Sequence, residues 1–167
     1  LPEVADYWAS VVRINEWQID RFFQNILQEQ FNTLAGKTVA LLGFAFKQDT
    51  GDTRDSPAIP LCEKLLGEHA KVRVHDPKAL ENAKIDLQEM HGDVRFVEDV
   101  YEAAKGTHAI ALVTQWREYR EIDFERIFQT MVKPAFIFDG RNHLDHQQLF
   151  EIGFNVFPLG KPPLKHV

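Results

Sequence analysis

The 167-residue chain reads as an α/β protein, a doubly wound parallel sheet preceded by one long helix. Three observations predict this. Uninterrupted apolar runs such as Val39–Leu42 and Ala109–Val113 mark strands buried on both faces, as parallel strands are. Those runs alternate with stretches of helical period, the rhythm of βαβ units with right-handed crossovers. Ahead of them, the segment from Tyr7 to Phe31 repeats apolar residues at three- and four-residue steps without a break. Together these define a Rossmann-like architecture.

Each element follows in order. In the first helix, Ile19, Phe22, Phe23, Ile26, Leu27 and Phe31 form one stripe, which Trp8, Val11 and Val12 extend upstream. Ile14 and Trp17 lie off it. A helix apolar on a second face has two partners, one in its own domain and one outside; the alternative is burial within its own domain. Asn32–Lys37, with Ala35-Gly36, is the stop and the connection. Thr38–Gly43 is the first strand. Ser56-Pro57 opens helix Pro57–Glu68, with Ser as N-cap and Pro at the first helical position. Lys71–His75 is the second strand, ended by Asp76-Pro77, and the polar stretch Lys78–Asp93 is helical in part. Strand Val94–Val97, helix Val100–Lys105, strand His108–Thr114 and helix Phe124–Met131 come next. Strand Ala135–Phe138, helix Asp145–Glu151 and strand Asn155–Leu159 close the domain. The tail, with Pro162-Pro163, reads as an extended, mobile end. Three parts are therefore expected: a helix over 1–34, the sheet domain over 35–160 and the tail over 161–167.

Composition narrows the function classes. A net charge of −6 argues against nucleic acid as the main partner. No apolar run has the length of a membrane span. The single Cys62 allows no intrachain disulfide and fits a reducing compartment, the cytoplasm. It lies mid-helix beside Ile59, Leu65 and Leu66, which reads as packing. His143, Asp145 and His146 form a short cluster without zinc-site spacing and read as helix-start residues, so no metal is expected.

Polar residues gather where strands end. Gly43–Lys47, Asp76, Thr114-Gln115-Trp116 and Asp139-Gly140-Arg141 all follow the carboxyl ends of expected strands. In a parallel sheet these ends share one edge, and a 3-2-1-4-5-6 order puts a switch point between the first and fourth strands. Lys47 and Arg54 on the first loop suit phosphate or another anion; the alternative is a solvated surface loop. The glycine-rich dinucleotide fingerprint is absent, because Phe44, Ala45 and Phe46 follow Gly43. Asp76 stands where a ribose-binding acid would, but without those glycines it reads as a turn residue before Pro77.

The series Gly43, Phe44, Ala45, Phe46, Lys47, Asp49, Thr50, Asp52, Arg54, Ser56 and Pro57 resembles the stretch that opens the C-terminal domain of the UDP-glucose/GDP-mannose dehydrogenase family. Lys133–Arg141 is a second such segment, closest to the UDP-glucose 6-dehydrogenase branch. Smaller matches are Leu1-Pro2-Glu3-Val4, Ile14-Asn15-Glu16, His75-Asp76-Pro77 and Thr114-Gln115-Trp116, where Gln115 replaces a Glu. The resemblance implies the C-terminal, UDP-sugar-binding domain of a two-domain enzyme whose subunits pair through a long central helix, of which residues 1–34 would be the C-terminal part. It implies that Phe46 and Lys47 contact substrate, that Arg141 binds the uridine diphosphate side, and that Arg54 reaches NAD held by the chain's own N-terminal domain. The implied reaction oxidises the 6-hydroxyl of UDP-glucose to a carboxylate with two NAD⁺ and a nucleophilic Cys. That Cys motif is not in this sequence, so no residue of the chain is expected to be catalytic and the chain alone is expected to be inactive. GDP-mannose or UDP-N-acetylmannosamine remain alternative substrates, and a stand-alone nucleotide-binding or assembly module is the alternative role. Charged residues at Ile19 and Phe23 are the expected way to break subunit pairing.

Overall fold

A computed structural model describes residues 1–167 in full. Its six strands are β1 (Thr38–Leu42), β2 (Lys71–His75), β3 (Val94–Phe96), β4 (Ala109–Leu112), β5 (Phe136–Asp139) and β6 (Asn155–Pro158). They form one parallel sheet in the order β3-β2-β1-β4-β5-β6, as the alternating pattern predicts. Five helices connect or flank them: α2 (Ala58–Gly67), α3 (Leu80–Asp86), α4 (Val100–Ala104), α5 (Phe124–Thr130) and α6 (His146–Ile152), after the long α1 (Pro2–Glu29). Register aligns the carboxyl ends. Leu42 sits opposite both His75 and Leu112, Leu112 opposite Asp139, and Asp139 opposite Pro158. The loops after β1, β2, β4, β5 and β6 therefore share one rim.

The core is the sheet itself. Every residue of β1, β4, β5 and β6 is buried, which is why these strands read as solid apolar runs. Phe136, Phe138 and Phe157 stack across β5 and β6, with ring centroids 4.9–6.4 Å apart. Cys62 lies fully inside α2's packed face, and burial pushes its thiol up to about 12. At physiological pH it is a small hydrophobe, not a nucleophile.

Helix α1 begins at Pro2 rather than Tyr7, because Pro suits the first helical turn. Its second half packs on the domain through Phe23 and Ile26, with Ile19, Phe22 and Leu27 partly covered. Its first half stands clear: Trp8 is 62% exposed and Ile14 is 57% exposed. Phe31, expected in the buried stripe, falls beyond the helix end with φ 63° and is largely exposed, its ring edge-on to Phe136. No helix of the chain is long and apolar enough to cross a membrane.

Three local differences have physical causes. A 3₁₀ turn, Arg117–Glu121, is hidden by its charged sequence; the buried Tyr119 anchors it, with its hydroxyl 2.9 Å from His75 Nδ1. Helix α2 is assigned from Ala58, and Ser56 caps it one residue further back: its Oγ accepts from the Ala58 N–H at 3.2 Å. The tail is also held, not loose. Leu164 exchanges both backbone hydrogen bonds with Val156, Lys165 pairs with Glu29 at 3.2 Å, and His166 stacks on Phe150 at 4.1 Å. The tail so covers the exposed edge of β6.

Candidate functional site

At the end of β1 the chain turns sharply against β4. Gly43 has φ +92°, and a Cβ there would lie 2.5 Å from the Thr114 Cβ. Only glycine fits both conditions. The next two peptides, Phe44 and Ala45, are buried and fully bonded. Their N–H groups donate to Asp76 Oδ2 at 2.7 and 2.9 Å. Their carbonyls accept from Ser56 Oγ at 2.7 Å and Thr114 Oγ1 at 2.8 Å. Beyond this pinned pair the loop emerges: Phe46 donates its N–H to the Asp52 carbonyl at 2.8 Å, and its ring is half exposed. Lys47 is exposed, with no hydrogen bond or ion pair inside the chain.

Asp76 does more than the turn the sequence suggests. It does make that turn, accepting from the N–H groups of Lys78 and Ala79 at 2.8 Å each. Its other oxygen takes Phe44, Ala45 and the indole N–H of Trp116 at 3.1 Å. One buried carboxylate thereby joins the loops after β1, β2 and β4. Five donors offset the cost of burying its charge.

The end of β5 repeats this design. Asp139 is fully buried; it accepts from the Arg141, His143 and Leu144 N–H groups at 2.8–3.0 Å and from His146 Nε2 at 2.8 Å. The histidine cluster is thus a loop clasp, and Asp145 caps α6 through the Gln148 N–H. Gly140 admits no side chain, because a Cβ would approach the Leu112 carbonyl to 2.9 Å. Arg141 lies across the end of β4, its Nε donating to the Val113 carbonyl at 2.7 Å. Its terminal guanidinium nitrogens make no hydrogen bond in the chain and remain available to an anion.

These contacts bring the expected substrate residues to one place. Val113 holds Arg141, and its neighbour Thr114 holds Ala45, one residue before Phe46. Arg54 behaves differently. It is exposed, but it forms a two-point pair with Asp52 at 2.7 and 3.1 Å, and that pairing holds the Asp52 carboxyl at about 2. His75, expected at the end of its strand, meets Tyr119, which the sequence did not single out, beside Asp76; burial lowers the His75 imidazole and raises the Tyr119 phenol. Phe46, Lys47 and Arg141 are all exposed and lie on an open rim, apart from a cleft of about 530 Å³ between α1 and the end of β6, whose lining includes none of them.

Comparison with known proteins gives this rim a context. The profile of the UDP-glucose/GDP-mannose dehydrogenase family, UDP binding domain, matches residues 40–146, which include all four of these positions. The chain belongs to the UDP-glucose/GDP-mannose dehydrogenase family. UDP-glucose 6-dehydrogenase 5 of Oryza sativa subsp. japonica is 45% identical over 97% of this chain and 38% of its own length. UDP-glucose 6-dehydrogenase 1 of Arabidopsis thaliana is 44% identical over the same shares. A UDP-glucose dehydrogenase of the archaeon Pyrobaculum islandicum superposes with TM-score 0.69 at 28% identity, covering 87% of this chain and 32% of that one. The chain thus spans less than two-fifths of the length of these dehydrogenase family members.

Proposed function

We propose that this chain is the C-terminal, UDP-sugar-binding domain of an NAD-dependent UDP-glucose 6-dehydrogenase that forms UDP-glucuronate. One observation carries the reading. Two cations with free donors, Lys47 and Arg141, stand on one rim at the switch point, inside the segment that matches the UDP-binding family profile. Both suit a diphosphate: Arg141 presents a planar fork and Lys47 a point charge, while the half-exposed Phe46 offers an apolar wall. The rim is open, so a second wall is needed, and an N-terminal domain of the same protein would supply it.

The turn after β1 does not fit a dinucleotide. The two N–H groups after Gly43 already serve Asp76, Ala45 and Gln48 stand where the second and third glycines of the fingerprint would be, and the bulky Phe44 and Phe46 flank that approach. NAD therefore belongs to the N-terminal domain, and from this chain Arg54 reaches toward it once it parts from Asp52. The exposed apolar residues on the first half of α1 support pairing of two subunits along that helix. The test is calorimetric titration of the protein that contains this chain with UDP, UDP-glucose and GDP. Uridine-selective binding is expected. Tighter binding of GDP would favour the GDP-mannose alternative.

A further inference from the structure

Sequence and geometry single out one feature that the binding residues leave unused: the Thr114-Gln115-Trp116 motif and the carboxylate beneath it. Peptides Phe44 and Ala45 have every backbone group occupied by a side chain from elsewhere. Asp76, Ser56 and Thr114 supply those partners, and each is at least nine-tenths buried. Trp116 completes the set: its indole N–H closes on the same Asp76 oxygen that holds both peptides. Gln115, between them, is exposed and takes no part. In a dinucleotide-binding sheet the amides of this turn face a phosphate. Here an internal anion has that place.

We propose that Asp76, Thr114 and Trp116 are positioning residues that preset the backbone of Phe46 and Lys47 for the nucleotide-sugar, with Asp76 serving as a built-in anion in the turn. This rests on the reading of Lys47 as a substrate contact. The physical case is direct. Lys47 has a flexible stem and no side-chain partner in the chain, so its starting point is fixed by the backbone behind it: the Phe44–Ala45 span and the Phe46 N–H on the Asp52 carbonyl. A loosened span spreads the ammonium over a wider volume and raises the entropic cost of binding. The same carboxylate keeps the amides from binding a competing phosphate.

The direct change, Asp76→Asn, sets amide hydrogens against buried N–H donors and threatens folding. Milder changes discriminate better. Trp116→Phe removes one donor and keeps an aromatic ring. Thr114→Val keeps the shape against Gly43 and removes the hydroxyl, and Thr114→Ser restores it. In the whole protein, Trp116→Phe and Thr114→Val should each raise the Kd for UDP and the KM for UDP-glucose about fivefold to tenfold, the loss of one charge-assisted or buried hydrogen bond. The kcat and the KM for NAD⁺ should stay within about twofold, and Thr114→Ser should bind as the parent does. Unchanged UDP affinity in both variants, with Lys47→Ala weakening it, would overturn the positioning role and leave the binding site intact. Equal losses for UDP and NAD⁺, with a lowered Tm, would mark a general structural role and also overturn it. No effect of Lys47→Ala would overturn the binding site and the positioning role together.

Discussion

Gly43 has two independent constraints, a left-handed φ and the Thr114 Cβ at 2.5 Å from where its own would be. Gly43→Ala should therefore destabilise the domain by roughly 2–4 kcal/mol, through backbone strain and overpacking together. Urea unfolding midpoints check this, and a loss below about 0.5 kcal/mol would mean the turn relaxes freely. His75 makes a pH prediction. Burial disfavours its imidazolium, so folded His75 titrates below the ordinary value of about 6.5. Between those two pH values the unfolded chain binds more protons. The contribution of His75 is therefore complete above about pH 6.5 and is lost as pH falls through the window below it. His108 is shifted in the same direction, chiefly by burial. A His75→Gln variant should show a shallower fall in stability between about pH 7 and 5 than the parent, measured by urea unfolding. Residue by residue, the candidates for the site were legible and the contacts that support them were not. Lys47, Arg141 and Phe46 are recognisable from their motifs. The role of Asp76 depends on donors 31, 32 and 40 positions away, which no local pattern reveals.

At the scale of elements, β1, β4 and β5 were legible because each is buried on both faces and so reads as an apolar run, whereas β2 and β3, nearer the sheet edge, are partly exposed. The 3₁₀ turn and the tail were not, because their anchors are long-range contacts: Tyr119 against His75 and Lys165 against Glu29. Helix α1 shows what a stripe alone conceals. Its apolar residues run the whole length, but those from Ile19 onward pack on the domain and those before it face outward. Phe23 is 6% exposed, so a charge there would break the core and report on folding instead of pairing. The informative pair is Trp8→Glu with Ile14→Glu. Sedimentation of this double variant should show loss of association with the far-ultraviolet spectrum and Tm preserved. An unchanged mass would move the subunit contact elsewhere.

For the whole molecule, one arrangement ties the parts together. The sheet order puts β1 and β4 side by side at the switch point, and β5 beside β4. Two buried aspartates, Asp76 and Asp139, gather the loops that leave those strands. The result is a rim where Lys47 and Arg141 present unpaired donors over a rigid floor. The function we propose has that rim grip the diphosphate of a uridine sugar, while chemistry and the dinucleotide belong to the rest of the protein. Affinity for UDP, measured calorimetrically in the whole protein and in its Lys47→Ala and Arg141→Ala variants, tests this most directly. Each variant should lose about 1.5–3 kcal/mol, the worth of a charge-assisted hydrogen bond to phosphate. Affinity unchanged in both would contradict the site while leaving the fold as described.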